Sequence, residues 1–317
     1  MRATEEVHVR APGKVNLTLR AWRPREDGYH PLETVFQAVS LYEDVVARHA
    51  EDITLEIRGR GADSLPTDGR NLAVRAAELL RETAGGSAGA HLTLTKQVPV
   101  AAGMAGGSAD AAATLIACDQ LWGTGLGREE LAELAAELGA DVPFALTGMS
   151  AMGTGRGDLI SPVMSRGQYH WVLAMQEEGL ATPEVFDKLD ELHRWEPGRP
   201  EPEEDELDTT RRPSGAVVSA LLGADPLVLA RALYNDLEVA AVSLRPELGD
   251  VLAATERAGA LAAVVSGSGP TVAALTLDAP HAASVAGVMR SAEVASEVHV
   301  VTGPVPGARV LEHVGRR

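Results

Sequence analysis

A glycine-rich run, Val100-Ala101-Ala102-Gly103-Met104-Ala105-Gly106-Gly107-Ser108-Ala109-Asp110, leads into a stretch with Ala111, Leu115, Cys118 and Trp122 at helical spacing. Small residues let a backbone come close to a ligand. The free N–H groups of a first helical turn, reinforced by the helix dipole, then favour an anion. Ser108 would either cap that helix or offer its hydroxyl to phosphate or Mg²⁺. No Lys-Ser/Thr pair follows the glycines, so this is not a Walker A loop, and it is not GxGxxG either. Taken alone, the run reads equally well as a tightly packed helix entry.

Other segments carry groups suited to phosphoryl or proton transfer. In Pro12-Gly13-Lys14-Val15-Asn16, an extended chain puts Lys14 and Asn16 on one face. A lysine there would neutralise a transferring phosphoryl group or lower the pKa of a hydroxyl; the plainer reading is a surface lysine at a strand start. In Leu138-Gly139-Ala140-Asp141-Val142-Pro143-Phe144, Asp141 sits between apolar residues just after a helix. A half-buried carboxylate near a lysine can accept a proton, whereas a capping aspartate is the ordinary alternative. Asp27-Gly28-Tyr29-His30 reads as a β-turn or as a clamp in which a ring stacks on a base. Ser266-Gly267-Ser268-Gly269-Pro270 is a hairpin loop whose glycines also suit close approach to phosphate or to the first loop; it is not GxSxG. Gly153-Thr154-Gly155-Arg156-Gly157 reads as a turn near a domain boundary. The histidines show no HxxxH or HxH spacing, so no structural zinc is expected. Cys118, the single cysteine, belongs on an apolar helix face.

These segments need elements to position them. Alternation predicts strands over 53–57 and 91–95, and strands are also expected over 7–10, 171–175, 261–265, 271–277 and 297–301. Helices are expected after Asn71 as N-cap, with Leu72, Ala76, Leu79 and Thr83 on one side, and over 128–139 with Leu131, Leu134 and Leu138. Further helices are expected over 182–192, with Thr182 as N-cap and Pro183 at the first helical position, and over 280–290. Two or three more fall between Ser214 and Gly259. Strands and helices mix without regular βαβ alternation, which favours an α+β class. The domain boundary is expected near 155–168, dividing the chain into 1–160 and 161–317. The acidic, proline-rich segment 196–213 reads as a surface loop.

Across 317 residues there are 28 Lys plus Arg against 45 Asp plus Glu, a formal charge of −17. That balance argues against nucleic-acid or anionic-membrane partners. It still allows an anionic small molecule held by a local positive trap. No apolar run matches a membrane span, and the N-terminus lacks the apolar region of a signal peptide, so a cytoplasmic location is expected.

Segments 11–17, 98–110 and 266–270 occur in an order that resembles the GHMP small-molecule kinases, such as galactokinase, homoserine, mevalonate and phosphomevalonate kinases. With Arg25-Glu26-Asp27-Gly28-Tyr29-His30, Asp68-Gly69-Arg70-Asn71-Leu72, 138–144 and Asn235-Asp236-Leu237-Glu238, the chain is most similar to a branch acting on a cytidine diphosphate-linked sugar alcohol. The likeness covers nearly the whole chain apart from 196–213 and the tail after about residue 303. It implies a two-domain GHMP kinase fold: an N-terminal ATP-binding domain resembling ribosomal protein S5 domain 2, and a ferredoxin-like C-terminal domain. It also implies ATP and Mg²⁺, no nucleic-acid or membrane partner, and a monomer or homodimer. By resemblance, Asp141 is the catalytic base, Lys14 polarises the acceptor hydroxyl, and Asn16 holds the acceptor arm. Tyr29 and Phe186 would sandwich the cytosine, with His30 bonding its edge. Lys96, Pro99, Gly103, Met104, Ala105, Gly106, Gly107 and Ser108 would bind ATP, and Ser108 would also be a Mg²⁺ ligand. Ala101, Ala102 and Ala105 stand where this branch commonly has glycine. A homoserine- or mevalonate-type kinase is the alternative enzyme, and a nucleotide-binding regulator without turnover the alternative class.

Overall fold

The computed structural model describes residues 4–194 and 214–315; the expected surface loop 196–213 lies outside them. The class is α+β, as expected, built on two sheets.

The first sheet centres on two long antiparallel strands, β1 (Thr4–Ala21) and β2 (Leu32–Ala50). The strand expected over 7–10 therefore runs on through the lysine motif. Its ladder shifts register between Pro12 and Gly13, where proline cannot donate a hydrogen bond. β2 escapes a reading by alternation because its middle is buried on both faces. β4 (Gly89–Lys96) adds to β2, and β3 (Thr54–Gly59) pairs parallel to β4. β5 (Ser150–Thr154) also pairs with β2 and forms a hairpin with β6 (Leu159–Pro162), so the glycine run 153–157 spans a strand end and its turn.

Helices cover this sheet. Asn71 caps α1 (Leu72–Thr83) by accepting from Ala73 N at 2.9 Å. α2 (Gly106–Trp122) was expected to have one apolar face. Instead it is buried almost all round, between the sheet, α1, α3 (Arg128–Leu138) and α4 (Val142–Thr147). That crowding explains why alanine dominates it.

The second sheet has the antiparallel order β11-β7-β10-β9, formed by β7 (Tyr169–Met175), β9 (Ala262–Val265), β10 (Val272–Thr276) and β11 (Glu297–Gly303). With α5 (Thr182–His193) after β7 and α10 (Ala279–Ala292) between β10 and β11, this is the β-α-β-β-α-β pattern of a ferredoxin-like unit. Among the described residues, four helices rather than two or three lie between 214 and 259: α6 (Ser214–Gly223), α7 (Pro226–Ala232), α8 (Glu238–Leu244) and α9 (Glu247–Arg257). Seven-residue helices such as α7 and α8 are too short to show a clear period. The two-residue strand β8 (Tyr234–Asn235) separates them and pairs with β1.

The tail beyond about residue 303, where the resemblance read from the sequence stops, forms β12 (Arg309–Gly315) and pairs with the outer edge of β1. The sheets are also joined through side chains. The buried Trp171 donates its indole N–H to Gln37 Oε1 at 2.9 Å, and Thr302 N donates to Ser40 Oγ at 2.8 Å. Among the described residues, no helix is long and apolar enough to cross a membrane.

Candidate active site

A cleft of about 940 Å³ opens where the ends of β1, β2 and β4 meet α2, α5 and the loop 266–270. Its central wall is the N-terminus of α2. Ala105 is the N-cap, in the left-handed region at φ 59°, and no side chain caps the helix. The expectation that Ser108 caps α2 is therefore corrected: Ser108 is its third residue. The N–H groups of Gly106, Gly107 and Ser108 belong to the first turn, which has no intrahelical acceptor for them. Ala101 and Ala105 both adopt positive φ, at a cost of about 1–2 kcal/mol for an L-residue.

Gly103 explains how the loop holds that shape. A Cβ there would lie 2.0 Å from Ser266 O and 2.9 Å from Gly269 N, so only glycine fits against the 266–270 loop. Its carbonyl accepts from Lys14 Nζ at 2.7 Å and Ser266 Oγ at 3.0 Å. Asn235 anchors the same loop from behind, donating to Val265 O and Gly267 O, both at 2.7 Å. Of the two roles expected for 266–270, close approach to the first loop is the one the contacts display.

Lys14 and Asn16 share one face of β1, as their spacing predicts, and Lys14 Nζ donates to Asn16 Oδ1 at 2.7 Å. Asn16 donates in turn to Thr34 Oγ1 at 2.8 Å, and Thr34 to Thr18 O at 2.7 Å. Lys14 is no surface lysine: it is buried, and burial pushes its pKa below the ordinary lysine value while Asp141 opposes that shift. Asp141 occupies the N-cap position of α4, yet its side chain makes no cap hydrogen bond. Its carboxylate lies 4.0 Å from Lys14 Nζ and keeps a third of its surface open. A hydroxyl entering there would meet a carboxylate able to take its proton and an ammonium able to steady the resulting charge.

Lys96 forms a buried triad. Its Nζ lies 2.8 Å from Glu43 Oε1 and 2.5 Å from Asp110 Oδ2. Glu43 also accepts from Gln97 N and Val98 N. Burial, and next the Asp110 charge, push the Glu43 carboxyl up to about 8; burial pushes Asp110 up to about 6. Asp110 lines the cleft, and its Oδ1 has no hydrogen-bond partner among the described residues. Those residues hold no group of three or more His, Cys, Asp or Glu that could cage a metal. Mg²⁺, which keeps waters and takes one or two protein oxygens beside substrate phosphates, is nonetheless suited by the Ser108 hydroxyl, which lines the cleft.

At the other end, Phe186 of α5 stacks on His30, with ring centroids 4.6 Å apart, and His30 Nε2 lies 2.8 Å from Asp190 Oδ1. Tyr29 stands 56% exposed on a turn in which Gly28 has φ 80°. Residues 27–30 therefore form the expected turn, and its aromatic lines the cleft. Thr182 is not the N-cap expected for α5. Ala181 holds that position, and the Thr182 hydroxyl instead meets Ser268 Oγ at 2.9 Å across the cleft.

The cleft thus brings together Lys14, Asn16, Tyr29, His30, Lys96, Pro99, Gly103, Ala105, Gly106, Gly107, Ser108, Asp141 and Phe186. Met104 is the exception: its side chain is fully buried in the core, and only its carbonyl reaches the motif, accepting from Lys14 N at 3.1 Å. Asp110, Asp190 and Arg156 line the cleft without having been singled out from the sequence. For Asp110 the signal was present, as an acid placed in an alanine-rich helix opposite Lys96.

Residues 71–149 match the family model described as GHMP kinases N terminal domain, and residues 217–295 match GHMP kinases C terminal. A 4-diphosphocytidyl-2-C-methyl-D-erythritol kinase of Leifsonia xyli subsp. xyli is 52% identical, over 97% of this chain and 99% of that protein. The protein of the same name in Mycobacterium tuberculosis is 51% identical, over 97% and 94%. A crystal structure of 4-(cytidine 5'-diphospho)-2C-methyl-D-erythritol kinase superposes with a TM-score of 0.73 at 32% identity, covering 93% of this chain and 98% of that one. A homoserine kinase from Cytophaga hutchinsonii, at 24% identity and a TM-score of 0.74, shares the fold.

Proposed function

The chain belongs to the GHMP kinases, and on that premise we propose that it transfers the γ-phosphoryl of ATP to the 2-hydroxyl of 4-diphosphocytidyl-2-C-methyl-D-erythritol, in the non-mevalonate route to isoprenoid precursors. It is an ATP-dependent kinase with an alcohol as acceptor. The observation that carries this reading is the approach of Lys14 Nζ to Asp141, 4.0 Å apart, in the cleft walled by the N-terminus of α2.

Asp141 takes the proton of the acceptor hydroxyl as that oxygen attacks phosphorus. Lys14, pre-set by Asn16 and the Gly103 carbonyl, faces the charge on the transferring group. The first-turn N–H groups of α2 hold the triphosphate. Such transfers depend mainly on positioning and charge neutralisation, and no covalent enzyme intermediate is needed. Mg²⁺, when bound beside Ser108, would neutralise phosphate charge. Tyr29, His30 and Phe186 receive the cytosine. In this reading 1–160 is the unit that grips ATP and 161–317 the second unit, with β12 reaching back to the first.

The test is incubation with ATP, Mg²⁺ and the cytidylated methylerythritol, with homoserine and mevalonate as competing acceptors, following ADP and a new phosphomonoester. Phosphorylation of the cytidylated compound alone is expected. Turnover of homoserine or mevalonate instead would replace this reading with another GHMP activity.

A further inference from the structure

The glycine run expected to be only a turn lines the cleft through Arg156 and Gly157. It forms the tip of the β5–β6 hairpin. Gly155 and Gly157 have φ of 71° and 92°, a backbone that side chains resist. Leu32 N donates to Gly155 O at 2.7 Å and clamps the tip to the start of β2. The hairpin therefore presents Arg156 from a fixed base. The Arg156 guanidinium carbon lies 5.4 Å from the centre of the Tyr29 ring. Asp158 holds the arginine from behind, accepting from its Nη2 at 3.1 Å and from its backbone N at 3.0 Å. On the other side of the tip, a Cβ on Gly157 would come 3.7 Å from Phe36, whose ring lies 5.7 Å from Lys14 Nζ. The tip thus spans the distance between Tyr29 and the floor beneath Lys14.

The cations of the cleft divide sharply by task. Among the described residues that line it they are Lys14, Arg70, Lys96 and Arg156. Lys14 stands with Asp141, Lys96 is locked between Glu43 and Asp110, and Arg70 is chelated by Asp68 beside the α1 cap. Around Tyr29, His30 and Phe186 the other charged lining groups are Asp187 and Asp190, so an anion at that end would meet carboxylates were it not for Arg156.

We infer that Arg156 binds the diphosphate of a nucleoside diphosphate-linked substrate, between the base end of the cleft and the reacting hydroxyl, and so helps determine substrate specificity. This rests on the functional reading given above. The guanidinium offers a planar fork of donors that matches phosphate oxygens. With one amino group turned to Asp158 and the guanidinium carbon held beside the Tyr29 ring, the remaining donors are oriented before the ligand arrives.

The test compares Arg156→Met and Arg156→Lys with the unmodified enzyme. For Arg156→Met, KM for the cytidylated substrate should rise about 10–100-fold, the worth of one or two hydrogen bonds to a charged group, while KM for ATP stays within about twofold. Calorimetric titration should show the unmodified enzyme binding CDP more tightly than cytidine. That advantage should vanish in Arg156→Met and return in part with lysine, which restores charge without the fork. An Arg156→Met enzyme with unchanged KM for the cytidylated substrate overturns the assignment while leaving the functional reading intact. Equal losses for CDP and cytidine also overturn it, since the arginine would then only prop Tyr29. No turnover of the cytidylated compound by the unmodified enzyme overturns both.

Discussion

Gly107→Ala separates folding from ligand binding, because the two should move in opposite directions. A Cβ built on Gly107 meets nothing closer than Leu72 Cδ1 at 3.6 Å, and the residue is exposed to the cleft in the first turn of α2. Gly106, one residue earlier, would press within 3.1 Å of Glu43 and Val98 and is a poorer probe. With space available, alanine should stabilise the helix by about 0.5–1 kcal/mol over glycine. For a protein of this size that corresponds to a rise in Tm of about 1–2 °C. The same methyl stands where a phosphate oxygen must approach the amide. Losing one or two charge-assisted hydrogen bonds, each worth about 1.5–3 kcal/mol, should raise KM for ATP about 10–100-fold or more. Differential scanning calorimetry and initial-rate kinetics at saturating acceptor measure both. An ATP KM and kcat within twofold of the unmodified enzyme would refute the placement of the triphosphate on α2. A lowered Tm would refute the reading that the site has room.

Asp141→Asn should lower kcat by about 10²–10⁴ with the fold intact, and Lys14→Met should do comparable damage; a change confined to KM would remove either residue from the chemical step. Asp110→Asn should flatten the dependence of stability on pH. The Glu43 carboxyl is raised from 4.5 to about 8, first by burial and then by Asp110; the stability tied to its proton is therefore present below 4.5 and lost as pH rises through about 8. Removing the Asp110 charge lowers the Glu43 pKa, so the fall in Tm between acidic and mildly alkaline buffer should shrink, and an identical fall would remove the triad as its cause. Gln37→Leu should cost about 1–3 kcal/mol in chemical denaturation, because the buried Trp171 N–H loses its acceptor, with KM for ATP unchanged; no loss of stability would mean that this contact does not help to join the sheets.

Local signals carried well. Asn71 announced α1 because a cap acts within its own turn, and α3 ends at Leu138 with Gly139 as its C-cap, within one residue of the expected 128–139. Thr182 misled because Ala181 and Thr182 both precede the apolar period, and only packing shows that the hydroxyl is used across the cleft. β2 and β12 gave no usable pattern: the middle of one is buried on both faces, and the other is ordered by pairing with β1, far away in the chain.

The amino-acid sequence alone determined the chemistry on offer: a glycine-rich helix entry able to admit an anion, a lysine and an asparagine on one strand face, and a carboxylate just after a helix. Each depends on residues a few positions apart, whose geometry the backbone dictates. The tertiary structure decided which of these meet. It brought Asp141 to Lys14, closed Glu43 and Asp110 on Lys96, sent Met104 into the core, and turned Arg156 toward Tyr29. Those contacts join residues distant in the chain, and their free energy comes from burial and charge pairing, which no short stretch of sequence contains.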